Sequence, residues 1–241
     1  MYKKHLKINN TFFYFLLVII FSGCKPSKVD PAQVDLGYDY FPLAIGDSII
    51  YDVLTIDYSL DGSIDTQKCQ LLEVVTDTFI DNESDIAWRL ERFSRPDSSA
   101  NWPIDPDSVW TAKVTTYQAI KVESNIPYIK LVFPVEDGVK WDGNALNTIE
   151  KKEGEEYRIQ DLGLPDTIGN NIFNNTLKVI QPFITSQIGK HERSEVYAYS
   201  LGLIYKESIL VDYCDAPECI FLDSIVFGKK YFQVYNYSNK E

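Results

Sequence analysis

"SIIYDVLTIDYSLDGSIDTQKCQLLEVVTDTFI", residues 48–80, decides the fold. Its two arms are rich in Ile, Val, Thr, Tyr and Phe, which suit a pleated, half-buried surface, and neither keeps an apolar stripe of helical period over three turns. Between them stands Asp61-Gly62, a residue pair suited to a tight hairpin turn. A competing reading takes residues 57–68 as a calcium loop, with Asp57, Ser59, Asp61, Gly62 and Asp65 in the spacing of an EF-hand and Ile64 at its hydrophobic position. The last position of such a loop needs a bidentate acid and here is Lys68, a cation. The hairpin is the simpler reading.

The same texture recurs along the chain. Ile86, Trp88 and Leu90 alternate with Ala87, Arg89 and Glu91, and Ile129, Leu131 and Phe133 alternate with Lys130 and Val132, the period of a strand with one buried face. "VWTAKVTTYQAIKV" (109–122), "EVYAYSLGLIYKESILV" (195–211) and "CIFLDSIVFGKKYFQVYNY" (219–237) have the same composition. Turn residues punctuate these runs at Asp137-Gly138, Asp142-Gly143, Gly163 with Pro165, and Gly189. The pattern predicts an all-β fold of eight or more antiparallel strands, either a β-sandwich or a strongly curved sheet closing toward a half-barrel. Little helix is expected, in a short segment within 37–46 or 143–150. Pro42 and Gly46 shape the entry to the first strand, and Gly202 permits a bulge or close backbone approach within a long one.

The N-terminal segment has a different character. Phe12 to Phe21 is an unbroken apolar run that as a helix spans roughly 15 Å, half of a hydrocarbon core of about 30 Å. Lys3, Lys4, His5 and Lys7 precede it with no acid, the order of a secretory signal peptide. Phe21-Ser22-Gly23-Cys24 resembles a bacterial lipobox, with Phe21 where Leu is usual; there the leader is cut before a cysteine that carries lipid on its sulfur and its new amino group. Residues 1–23 are thus expected to be a signal peptide, Cys24 the site of lipidation, 24–36 a flexible tether and 37–241 a single β-rich domain. More than one acyl chain is needed for stable attachment, which a lipidated Cys24 supplies. The expected place is the bacterial outer membrane, with the periplasmic side favoured because "KPSK" after Cys24 lacks a dense acidic run.

"YFPLAIGDSIIYDV" (40–53), "LVFPVEDGVKWDGNALN" (131–147) and "EVYAYSLGLIYKE" (195–207), with "WRLERFSR" (88–95) followed by Trp102 and Trp110, resemble recurring signatures of a group of lipoproteins of the Bacteroidetes. The resemblance is scattered over most of the mature chain. It implies lineage, compartment and a β-rich fold, and it carries no catalytic residue.

Charge and rare residues narrow the function. Loss of the leader removes three lysines and no acid, so 23 basic residues become 20 against 35 acids, a formal charge of −15. Nucleic acid is excluded as an expected partner, because phosphate backbones are held by clustered Lys and Arg. His191 is the one histidine left, read as part of an exposed charged turn, so multi-histidine metal centres are impossible and a Ser-His-Asp triad would need that residue. No nucleophile elbow, P-loop or dinucleotide fingerprint occurs. Asp81, Glu83 and Asp85 read as a solvated loop. No cofactor, metal or catalytic residue is assigned.

Cys214 and Cys219 bracket "DAPE" and are expected to form a short-loop disulfide, while Cys69 is read as a buried strand residue. Trp102, in "SSANWPIDPDS", is the aromatic expected on a loop, where it either packs under that loop or faces a ligand. The expected function is that of a non-enzymatic binding or assembly component, tied to the membrane by lipid, with a glycan or envelope protein as partner through loops 96–110. The alternatives are a carrier enclosing an apolar cavity for a lipid or lipoprotein chain, and a glycosidase using two carboxylates.

Overall fold

The two arms of residues 48–80 pair as the hairpin reading requires. β1 (Ser48–Tyr58) and β2 (Ile64–Ile80) run antiparallel from Ser48↔Val74 to Tyr58↔Ile64. At the turn, the Ser63 amide and hydroxyl donate to Asp61 Oδ1 at 2.9 and 2.7 Å, and Gly62 takes a φ of 83° that disfavours any side chain. Asp57 is drawn sideways to Lys229 at 3.1 Å, so the acids of this stretch do not converge as they would in a calcium loop.

The computed structural model describes residues 35–148, 156–181, 184–216 and 224–240. The leader, Cys24 and most of the tether lie outside them. Residues 36–241 form one compact unit. Its further strands are β3 (Ile86–Arg95), β4 (Ser108–Val114), β5 (Gln118–Glu123), β6 (Ile126–Val132), β7 (Lys140–Trp141), β8 (Tyr157–Ile168), β9 (Asn171–Ile180), β10 (Ile184–Ser186), β11 (Gly189–Ala198), β12 (Gly202–Tyr213) and β13 (Ile225–Ser238). They make one antiparallel sheet in the order β6-β5-β4-β3-β2-β1-β13-β12-β11-β9-β8-β7, with β10 beside β11.

The sheet curls until its two ends meet. On β6 the Ile129 amide donates to Gly143 O at 2.9 Å, just past β7, and Trp141 Nε1–H of β7 donates back to Ile129 O at 2.9 Å. Gly143 has to be glycine there, because a Cβ would stand 2.3 Å from the Tyr157 ring. Of the two architectures expected, the curved sheet is the one adopted. Among the described residues the expected helix is a single 3₁₀ turn, Tyr38–Tyr40, which lays Tyr40 and Phe41 on the core inside the curve.

Three local readings change. Residues 109–122 and 195–211 each contain a hairpin: Thr115 Oγ1 accepts from the Gln118 amide between β4 and β5, and Ser200 and Gly202, at φ 64° and 93°, turn the chain between β11 and β12. Gly202 therefore begins a strand instead of bending the middle of one. Ile86 is exposed while its neighbour Ala87 is buried, because Ile86 pairs with Ile80 at the loop end of the β2–β3 hairpin, beyond the core. Lys130, expected to face solvent opposite Leu131, is only 3% exposed. The register slips between Ala119 and Ile120 against Leu131 and Ile129, and Lys130 is the extra residue.

The concave face has two layers. One is apolar, with Val75, Leu90, Ala119, Leu131, Leu177 and Tyr197 among its buried residues. Stepping two residues along the same strands leads to Glu73, Arg92, Lys121 and Glu195. On the convex face, the far end of the β8–β9 hairpin packs Ile168 and Phe173 against Val196, Ala198 and Ile204.

Candidate binding site

The charged layer inside the curve is an extended ion-pair network. Glu73 receives Lys121 at 2.7 and 2.9 Å and lies 3.2 Å from Arg92 Nε. Farther round, Lys130 bridges Glu123 at 3.0 Å and Glu195 at 2.5 Å, and Lys206 reaches Glu123 at 2.8 Å and Glu195 at 3.5 Å. The Tyr197 hydroxyl donates to the second oxygen of Glu195 at 2.6 Å. Burial alone would raise the Glu195 carboxyl, but Lys130 and Lys206 outweigh it and hold it below its ordinary value. Burial also opposes ionisation of Glu123, and the surrounding lysines push its carboxyl well down regardless. Burial would lower the Lys130 ammonium; Glu123 and Glu195 reverse this and raise it. Lys121 is held below its ordinary value by burial, which Glu73 and Glu123 only partly offset.

This network bears on two of the expected functions. A glycosidase needs one carboxyl kept protonated as general acid, with a raised pKa. Glu123 and Glu195 are both shifted the other way. An interior apolar cavity for a lipid chain is likewise unsuited to a face lined by Lys121, Lys130, Lys206 and their acids.

The apolar cavity lies on the opposite face. Directly paired residues project to the same side of a sheet, so Leu54↔Phe232, Asp52↔Val234 and Val234↔Tyr205 place these groups together on the convex surface of β1, β13 and β12. With the Pro96–Ser98 loop at its edge they line a groove of about 650 Å³, within the size range of small-molecule sites. Its polar neighbours are engaged with one another. Gln70 donates to Asp52 at 2.9 Å, Asn236 donates to Asp52 at 2.7 Å, and Arg95 donates twice to Gln70 Oε1, at 2.9 and 2.7 Å. The Tyr205 hydroxyl is spent on Glu207 at 2.7 Å. What the groove offers a ligand is mainly hydrocarbon and aromatic surface.

Neither the comparison with protein-family models nor that with curated proteins finds a match. Among solved structures the chain is similar to a "putative exported protein with YmcC-like fold" from Bacteroides fragilis, at 13% identity and a TM-score of 0.40, over 83% of this chain and 98% of that one. A likeness at that level says nothing of ligand or activity.

The residues singled out in the sequence fall as follows. Trp102 is half-buried with the Arg95 guanidinium 4.1 Å over its ring, and Arg95 is itself tied to Ala100 O at 3.0 Å, so one stacking face is already used by the loop's own anchor. Trp102 does not line the groove, although its loop does through Pro96–Ser98. Cys69 is a free thiol on β2, half-buried beside the groove, and burial, with Asp107, pushes it up and away from reactivity. Cys214 is disulfide-bonded; Cys219 lies outside the described residues. His191 belongs to β11 rather than to a turn, half-exposed and 3.8 Å from Asp212. Asp81, Glu83 and Asp85 do converge, but on the Lys113 ammonium, at 2.7 Å from Asp81 and 3.2 Å from Asp85 with Glu83 also in contact. A lysine already supplies the positive charge a cation would bring. The interior charges were missed in the sequence because each looks like an ordinary solvated strand residue.

Proposed function

We propose that the chain is an exported envelope protein, held at the outer membrane by lipid on Cys24, which binds the acyl chain of an amphiphile in its convex groove and does no chemistry on it. The groove itself carries the reading: about 650 Å³ floored by Leu54, Tyr205, Phe232 and Val234, with the adjoining polar groups satisfied within the protein. An acyl chain gains by leaving water and asks for no hydrogen bonds in return. Lys68, at the rim, places a cation where an acidic headgroup would emerge. Lipid on Cys24 would keep the domain beside the bilayer that supplies such ligands.

The test is titration of a fluorescent fatty acid into the full chain carrying Cys24→Ser. Saturable binding, competed by unlabelled palmitate and weakened at least about tenfold by Val234→Asp, is the expected result. Absence of saturation, or equal affinity in the Val234→Asp and Phe232→Asp chains, would overturn it.

A further inference from the structure

A second cavity, of about 200 Å³, lies on the concave side between β5–β6 and β11–β12 and opens beside the exposed Leu210. Its lysines, Lys130 and Lys206, are compensated by Glu123 and Glu195. Arg193, half-buried in the same wall, has no acidic partner and no acceptor for its guanidinium among the described residues. Gln181, just beyond β9, is 6% exposed, and its side-chain amide has no hydrogen-bond partner among them either. Tyr128 and Tyr157 complete that side. Glu207 also borders the cavity, but its carboxylate is engaged with Tyr205.

A guanidinium and an amide that line a cavity without a protein partner keep their hydrogen-bonding capacity for water or for a ligand that displaces it. Lys130, Lys206 and Arg193 are matched in number by Glu123, Glu195 and Glu207, but Lys130 and Lys206 take up Glu123 and Glu195, and Arg193 is the cation of this wall left without an ion pair among the described residues. A planar guanidinium fork is matched by two oxygens of a carboxylate or phosphate. Burial pushes the Tyr157 hydroxyl up to about 12, so at neutral pH it is protonated and able to donate.

We propose that this chamber binds a small oxyanion, a carboxylate or phosphate group, with Arg193 as its charged anchor and Gln181, Tyr128 and Tyr157 as hydrogen-bond donors. The proposal is independent of the groove on the other face. Isothermal titration of the full chain carrying Cys24→Ser uses acetate in one arm and inorganic phosphate in the other, and the tighter arm identifies the class. One-to-one binding of either probe is expected, weakened at least about tenfold by Arg193→Gln and less by Tyr157→Phe, and unchanged by Lys140→Gln on an exposed ion pair. Lack of saturation by both probes up to tens of millimolar would refute the site. So would an equal loss in the Lys140→Gln chain, which would mean diffuse attraction, or undiminished binding by folded Arg193→Gln and Tyr157→Phe chains.

Discussion

The charged layer inside the curve and the apolar groove outside it stand back to back on the same strands. On β12, Lys206 points inward to Glu123 and Glu195 while Tyr205 points outward to the groove. On β2, Glu73 points inward to Lys121, and Gln70 stands at the groove wall. Because side chains alternate at every residue, a one-residue slip would exchange the two surfaces. Register shifts at Ile50/Tyr51, Ala119/Ile120 and Val196/Tyr197 set which residues face inward along these strands. The difference teaches where each face gets its energy. Inside, charges are costly unless every partner is present; outside, hydrocarbon is left over after the polar groups have paired.

The largest expected effect comes from breaking the inner network. Glu195 is 1% exposed, and Glu195→Leu deprives Lys130 of one of its two acids and the Tyr197 hydroxyl of its acceptor. Removing one partner of a buried pair destabilises by about 3–5 kcal/mol, whereas replacing both by hydrocarbon of similar volume is often close to neutral. Urea denaturation should therefore show a large loss for Glu195→Leu and a clear recovery for Lys130→Met with Glu195→Leu. A single variant that loses less than about 1 kcal/mol would place the network on a par with exposed surface pairs.

Acid sharpens the same contrast. Glu73, Glu123 and Glu195 all have carboxyls lowered by the fold, so their contribution is complete above the unfolded value of about 4.3 and disappears as pH falls from there through the folded values. The urea midpoint should be nearly flat from pH 8 to 5 and drop steeply below about 4.3. The drop should be shallower in the Lys130→Met, Glu195→Leu double variant. Identical acid limbs in wild type and double variant would remove the carboxylates from the explanation.

How much of this could be read in advance depends on whether the determinant is local. The hairpin at Asp61-Gly62 is local, and so are strand alternation and the single antiparallel class. "AIKVE" (119–123) shows the limit: its alternation is plain, but nothing in five residues says that Lys121 and Glu123 face inward and Val122 outward. The partners that decide it are distant, Glu195 lying 65 positions from Lys130 and Lys206 lying 83 from Glu123. Lys130 needed a bulge as well, and a bulge leaves no mark in composition. The groove was illegible for the converse reason, since Leu54, Phe232 and Val234 look like core residues of any strand until the curvature puts them outside. Trp102 was correctly placed on a loop, yet Arg95 over its ring came from a strand whose charges had been read as solvent-facing.

Arg95 supplies the smallest effect and the sharpest test of whether the two faces act separately. It ties β2 to the loop through Gln70 Oε1 and Ala100 O, and it lies over Trp102. Arg95→Ala should cost about 1 kcal/mol, since the site is half exposed and water replaces part of what is lost. Trp102 would lose its cover, seen as a red shift in tryptophan emission. Pro96–Ser98, which edge the groove, would lose their anchor, so fatty-acid affinity should fall a few-fold. Phosphate or acetate binding in the chamber should not change, because the sheet stands between Arg95 and Arg193. If the oxyanion affinity moved together with the fatty-acid affinity, the two cavities would be one coupled system, and the separation of an ionic interior from an apolar exterior would fail as an account of this molecule.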